Sequence, residues 1–175
     1  SGTISSRGEI AREQLTHSTT IRLDPADIAG MSDPLTADFE LSGTTDVLEL
    51  SAGRIGIGDG EITGTAVLQF DQQLSGSTRL QLSGFDPAYF GLFTHGELHG
   101  VVVAALEQRA EDMHISAELE SLHGTLAGQA VSGSGAFSYA DQTLIVEQVF
   151  LRSGPNVVDI DGMIGEKVAL QATID

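Results

Sequence analysis

The sequence contains no cysteine and no tryptophan, and only 4 prolines and 8 lysines and arginines among its 175 residues. Without cysteine, disulfide scaffolds, thiol nucleophiles and cysteine-ligated zinc are excluded. Aspartate and glutamate together number 25, so the formal net charge is −17. Such a charge repels phosphate, which excludes nucleic-acid binding through a basic face and adhesion to anionic lipid through a polybasic patch.

Long apolar runs are also missing. No run approaches the ~18 residues of a membrane span, and Ser1–Arg12 lacks the apolar core of a signal peptide. Hydrophobic residues nevertheless make up 41% of the chain, which is too many for the composition of a disordered acidic protein. We therefore expect one folded, β-rich domain over residues 1–175. Because its last predicted strand runs to the end of the sequence, we expect the chain to be a section of a longer protein.

Glycine, in contrast, is abundant, with 21 residues. From Gly60 onward, apolar and polar residues alternate with period 2, which is typical of strands with one apolar face. The alternation is clear over 74–83, 113–120, 158–164 and 168–174. The wholly apolar stretch Val101–Leu106 is rich in β-branched residues and follows two glycines, which favours a strand there as well.

Helical signals are few and short. Asp24–Gly30 and Asp86–Gly91 each combine an N-terminal Asp-Pro with a closing glycine, which predicts one or two helical turns that connect sheet segments. The stretch Glu9–Leu15 is compatible with either a helix or a strand.

Short glycine-bounded units recur along the chain. Gly60–Gly64 and Gly96–Gly100 share the form Gly-Glu-aliphatic-x-Gly and begin 36 residues apart, with weaker copies at Gly124–Gly128 and Asp161–Gly165. Glycine inside a strand weakens it, so repeated glycines indicate bends or strong curvature. We expect a curved sheet whose concave face is aliphatic.

Motifs for chemistry fail on spacing. His95 and His99 lie four residues apart, but on a strand this separation is roughly 13 Å, too far for one metal ion. Asp159-x-Asp161-Gly162 resembles the start of a calcium loop, but no glutamate closes it. Gly56–Gly60 lacks the third glycine of a nucleotide loop, and Gly133-Ser134-Gly135 leads into a strand rather than a helix. We therefore predict no catalytic residues, no metal site, no cofactor and no enzyme activity.

The run Val131–Gly162 carries a resemblance to a known family. A glycine-containing strand is followed by a second strand, a Gly-x-Asn turn, a β-branched strand and a further glycine, which resembles the repeat of the TamB and AsmA-like family. Phe85-Asp86-Pro87 followed by Gly96-Glu97-Leu98-His99-Gly100 is similar to another segment of that family. The resemblance covers residues 84–175 well and the earlier part of the chain more loosely, and the first 55 residues show weaker repeats.

The resemblance implies a periplasmic section of a protein anchored in the inner membrane of a Gram-negative bacterium. The implied partner is TamA, an outer-membrane barrel of the Omp85 class. The implied functions are assistance in the assembly of outer-membrane proteins, including autotransporters, and phospholipid transport between the two membranes. The implied fold is an elongated, U-shaped, taco-like β-sheet with a hydrophobic interior.

From the alternation we predict a hydrophobic groove that holds phospholipid acyl chains or nascent outer-membrane β-strands. The alternative is a structural β-solenoid or adhesin passenger with a filled core. For each residue, ordinary core packing is the competing interpretation. The residues predicted to line the groove are Leu68, Phe70, Leu80, Leu82, Val102, Leu106, Ile115, Leu119, Phe137, Val158, Ile160 and Ile164.

Overall fold

The residues that the structure describes form twelve β-strands and one short 3-10 helix. Its structure, a computed structural model, describes residues 2–11, 14–23, 35–71, 73–90, 95–109, 112–165 and 168–174. The 3-10 helix spans Pro87–Phe90. The strands are β1 (Gly2–Ala11), β2 (Gln14–Leu23), β3 (Leu35–Gly43), β4 (Val47–Ile57), β5 (Gly60–Gln69), β6 (Ser75–Phe85), β7 (Gly96–Arg109), β8 (Asp112–Leu126), β9 (Gln129–Ala140), β10 (Thr143–Ser153), β11 (Asn156–Ile164) and β12 (Val168–Ile174).

All twelve strands form one antiparallel sheet in which the order in space is the order in the chain. Each strand pairs with the strands before and after it, and β1 and β12 are the two open edges. The all-β prediction is confirmed, as are the strand at Val101–Leu106 and the helical turn after Asp86. The ambiguous stretch Glu9–Leu15 belongs to β1 and β2, with residues 12 and 13 outside the described residues. The helical turn predicted at Asp24–Gly30 also lies outside them.

The two faces of the sheet differ sharply in chemistry. Residues directly opposite each other on antiparallel strands share a face, so the pairings can be traced across the whole sheet. The chain Leu68↔Gly76↔Leu106↔Ile115↔Tyr139↔Leu144↔Ile164 crosses seven strands on one side. We call this side the inner face and the opposite side the outer face.

Charge is confined to the outer face. Wherever the described residues pair Asp, Glu or Arg with a neighbouring strand, the pairing places them on the outer face. Examples are Asp38 opposite Arg54, Glu118 opposite Val103, and Asp159 opposite Phe150. The inner-face partners over the same strands are uncharged. The charged residues at paired positions of the described strands therefore lie on one side of the sheet, which keeps that side hydrated.

The alternation slips by one residue at β-bulges. On β8 the inner-face sequence runs to Leu119 and resumes at Leu122, and on β10 it runs to Val146 and resumes at Val149. Seven of the eleven strand pairings carry such a register shift. A bulge bends the strand and increases its twist, so these shifts coil the long strands while the apolar residues stay on one face.

The sheet is a single layer. Within the described residues only three hydrophobic side chains are buried, namely Ala37, Ile57 and Val146, and no large side chain is completely enclosed. The accessible surface is 11396 Å², whereas a compact monomer of this mass exposes roughly 8,100 Å². The inner face is therefore an apolar surface without a second layer packed against it.

Candidate functional site

The structure brings the predicted groove residues together on the inner face, with one exception. Strand register places eleven of the twelve on this face, across six strands. Phe70 lies one residue beyond the end of β5, and its side chain is 48% exposed. Most of the others are half-buried, although Ile115 and Ile164 remain exposed. Whether these side chains line a binding groove stays a prediction.

An apolar pocket of about 390 Å³ lies at one end of these strands. It draws its walls from five consecutive strands, β7 to β11, and from the 3-10 helix. On a flat sheet these strands would spread over four interstrand spacings, about 19 Å, so a shared pocket requires the sheet to curve toward the inner face. We call it the end pocket; its apolar lining residues are Pro87, Leu98, Leu122, Leu126, Val131, Leu151 and Val158.

A second apolar depression, of about 420 Å³, lies toward the opposite ends of the strands. Leu68 on β5, Leu106 on β7 and Ile115 on β8 line it, and between them lie the small residues Gly76 and Ala104. All five belong to the inner face. The inner face is thus apolar at both ends of the strands, and the predicted groove residues contribute to both depressions.

Glycine and leucine alternate across the strands of the inner face. Gly64 is opposite Leu80, and a Cβ at position 64 would lie 2.5 Å from Leu80 Cδ2 and 2.6 Å from the Arg79 carbonyl oxygen. Gly76 is opposite Leu68, and a Cβ at position 76 would lie 2.6 Å from Leu68 Cδ2. Each leucine side chain therefore lies over a position without a side chain. Removing bulk from the concave side lets the sheet curve, which is the role that the recurrent glycines were predicted to play.

Asp86 fixes the connector that closes the end pocket. Its carboxylate accepts hydrogen bonds from the backbone N–H of Ala88 and of Gly96, both at 3.0 Å, and lies 2.8 Å from His95 Nδ1. The hydrogen bond with His95 lowers the pKa of Asp86 most, and the two backbone donors lower it further. These contacts hold Pro87, which is buried, against the inner face.

One polar cluster interrupts the inner face, on the first two strands. His17 Nε2 lies 2.9 Å from Ser6 Oγ and 2.7 Å from Thr19 Oγ1. Register places all three residues on the inner face, where Ser6 pairs with Thr19 and Gly8 pairs with His17. A Cβ at position 8 would lie 2.5 Å from His17 Nδ1, so Gly8 provides the space that the imidazole occupies.

Metal and catalytic arrangements are not found within the described residues. No group of three or more His, Asp or Glu side chains is placed to hold a metal ion. His95 contacts Asp86, whereas His99 stacks on His123 at a centroid distance of 5.4 Å. Asp159 and Asp161 lie on the outer face of β11 and Ser134 lies within β9. A polar depression of about 690 Å³ on the outer face of β2–β5 is lined by Asp38, Glu40 and Arg54, and Arg54 forms an ion pair with Glu61 at 2.7 Å.

A comparison with models of protein families identifies the family of this chain. The family model described as "TamB, N-terminal domain" matches residues 7–175. The chain belongs to the TamB family. No curated protein sequence and no solved structure matches the chain.

TamB-family proteins are anchored in the inner membrane and span the periplasm, and they act in a transport and assembly module together with TamA. The family is not known for enzyme activity. Within the described residues, the structure contains no helix that is long and apolar enough to cross a membrane. The match begins at residue 7, so the early strands, where the repeats are weaker, belong to the same family domain as the rest.

Sequence reasoning missed several residues of the end pocket. Leu98, Leu122, Leu126, Val131 and Leu151 were not among the predicted groove residues. Leu98 and Leu126 are the aliphatic residues of two of the glycine-bounded repeats, so the repeats themselves contained the signal. Leu122 and Leu151 follow bulges, where simple alternation places them on the wrong face.

Proposed function

We propose that this chain is a section of a hydrophobic trough that shields phospholipid acyl chains from water during transport between the inner and outer membranes. The observation that carries the proposal is the inner face of β5–β11, which is aliphatic, curves around the end pocket and has no charged residue at its paired positions. Each methylene removed from water contributes about 0.8 kcal/mol. Many weak apolar contacts therefore suffice to hold an acyl chain, and low specificity allows the lipid to be released and passed along the trough.

The charge distribution supports the same proposal. An exposed apolar surface of this size normally associates with other apolar surfaces. Here the acidic outer face gives every copy a strong like charge, which opposes association. The trough accordingly stays available for a lipid client. As a member of the TamB family, the chain would act in the module with TamA and so also assist the assembly of outer-membrane proteins, including autotransporters.

A second candidate is the direct chaperoning of nascent outer-membrane β-strands. The exposed apolar side chains of the inner face, such as Ile115 and Ile164, favour it, because the apolar side of an extended client strand can pack against them. The solenoid or adhesin alternative is not favoured, since a filled core needs a second layer, and the described strands form one.

Photo-crosslinking in cells distinguishes these functions. Leu80 and Val102 face each other on the inner side of β6 and β7, and the adjacent pair Gln81 and Val101 lies on the outer side. We expect crosslinkers at positions 80 and 102 to capture phospholipid and those at 81 and 101 to capture little. Capture of barrel proteins at 80 and 102 would favour the chaperone function. Capture of neither would contradict the trough.

A further inference from the structure

We propose that Ser6, His17 and Thr19 form a subsite that binds the phosphodiester of a phospholipid whose acyl chains lie along the neighbouring apolar strands. This inference rests on the proposed function and adds to it a place for the polar end of the lipid. It is carried by the composition of the cluster, by its position on the inner face and by its distance from the apolar strands.

The three side chains converge on one point and offer hydrogen-bond donors there. Two hydroxyl oxygens lie within 2.9 Å of His17 Nε2. In the ring plane, Nε2 has either one hydrogen or one lone pair. It therefore forms one good hydrogen bond with one of the hydroxyls, and the other hydroxyl remains able to hydrogen-bond to a ligand. The two O–H groups rotate freely. An imidazole and two hydroxyls side by side thus present the donor set that an anionic oxygen requires.

The cluster is open on the side of the trough. Ser6 is exposed, His17 is half-buried and Thr19 is buried. The three polar side chains thus lie at increasing depth, and a ligand can reach the more exposed ones from the inner face. Gly8, opposite His17, leaves the room in which the imidazole lies. The acids of β1–β3, which are Glu9, Asp38 and Glu40, occupy outer-face positions, on the opposite side of the backbone from the cluster.

His17 also differs from the other histidines in the face of the sheet on which it lies. It is the one histidine that strand pairing places on the inner face of the described sheet. His99, His114 and His123 occupy outer-face positions and His95 precedes β7. Leu15 and Ile21 flank the cluster on the same face of β2. A polar group on an otherwise apolar surface costs free energy, and a ligand with polar oxygens offsets that cost.

The spacing fits a lipid. From β2 to β5 there are three interstrand spacings, about 14 Å. One leaflet of a bilayer's hydrocarbon core is about 15 Å thick, which is the reach of an acyl chain. A phosphodiester at His17 therefore directs its acyl chain across Leu41 on β3 and Leu50 on β4 toward Ala66 on β5, the residues that register aligns with His17.

Binding of matched 16-carbon probes to the purified chain tests the inference. The probes are a lysophospholipid, which has a phosphodiester, the fatty acid, which has a carboxylate, and the alcohol, which has no anionic group. We expect the unmodified chain to bind the lysophospholipid about tenfold more tightly than the alcohol. His17→Leu and Thr19→Val should reduce this preference to less than about twofold. Thr20→Val, on the outer face of the same strand, should leave it unchanged.

The outcomes separate the two proposals. If the alcohol does not bind at all, the trough itself is contradicted. If every chain binds the alcohol but the preference for lysophospholipid is absent, or survives His17→Leu, only the subsite is overturned. A preference for the fatty acid over the lysophospholipid would assign the subsite to a carboxylate and overturn the phosphodiester. Because His17→Leu changes local packing, His17→Gln, which keeps a side-chain donor, should retain part of the preference, and circular dichroism checks that each variant is folded.

Discussion

Strands β5–β11 and strands β1–β3 share one sheet but build their inner faces differently. In β5–β11, large aliphatic side chains lie over glycines of the adjacent strand, and the sheet curves around the resulting apolar surface. In β1–β3, the polar cluster of Ser6, His17 and Thr19 interrupts an otherwise apolar inner face, and Ile4 and Ile10 are 70% and 79% exposed. The comparison teaches that register decides which side chains share a face, whereas the residue types at those positions decide whether the face is apolar.

Inner-face charge gives the largest expected effect. Leu82→Arg places a cation on the half-buried inner face of β6, where desolvation of the charge costs several kcal/mol. Ile10→Arg places the same charge on the inner face of β1, where the exposed side chain stays in water. We expect Leu82→Arg to abolish lipid binding and lower the free energy of unfolding strongly, and Ile10→Arg to change little.

The neighbouring outer-face residue is the matched control for this prediction. Gln81→Arg adds the same charge one residue away on the exposed side of β6, where it meets an acidic surface. Its effect on lipid binding and on unfolding in urea should be small. Equal effects of Leu82→Arg and Gln81→Arg would contradict the assignment of the two faces.

Substitutions of the glycines should have the second-largest effect. Gly64→Ala brings a Cβ to 2.6 Å from a backbone oxygen, so the strands must move apart, at a cost of about 1–3 kcal/mol. At Gly8 the nearest atom belongs to the His17 side chain, which can turn away. Chemical denaturation should therefore show a larger loss for Gly64→Ala than for Gly8→Ala. Thr65→Val, on the outer face of β5, serves as the control.

The connector at the end pocket gives a smaller, pH-dependent effect. Asp86→Ala removes the acceptor for two backbone N–H groups, which costs about 1 kcal/mol as for a lost helix cap. The folded-state pKa of Asp86 is lowered, so its stabilisation is present above the unfolded value of about 3.9 and is lost as the pH falls through the folded pKa. The difference in unfolding free energy between the unmodified chain and Asp86→Ala should thus be constant near neutral pH and shrink in acid. A difference at pH 2 as large as that at neutral pH would contradict this.

The smallest effect is expected on the outer face of β5–β11. Arg79 donates two hydrogen bonds to Glu120, at 2.9 Å and 2.7 Å, across the intervening strand β7, and this pairing lowers the pKa of Glu120. Both side chains are exposed, so solvent and salt screen the pair. Arg79→Met should shift the thermal midpoint only slightly, and the shift should vanish at high salt. A large, salt-independent loss of stability would show that the outer face contributes as much to stability as the inner face does.

The sequence predicted much of this architecture because alternation is a local property. Within an unbroken strand such as β11, period 2 places Val158, Ile160 and Ile164 on one face, and the structure agrees. Across a bulge the period fails, which is why Leu122 and Leu151 were not predicted. The polar cluster on β1 and β2 was missed for another reason. The contact of His17 with Ser6 on the adjacent strand depends on strand register, which the weak repeats of the first 55 residues do not reveal.

The sequential order of the strands has a consequence for how the protein folds. Each strand contacts the strands adjacent to it in the chain, and most connections are short hairpin turns, so few contacts join distant parts of the sequence. Sheets of such local connectivity behave as linear arrays, in which each hairpin adds its own stability and that of one interface. Folding can then begin at any stable hairpin and propagate in both directions. Duplication or deletion of a hairpin would change the length of the sheet without rebuilding a core, which gives evolution a simple way to fit such a protein to the distance it must cover.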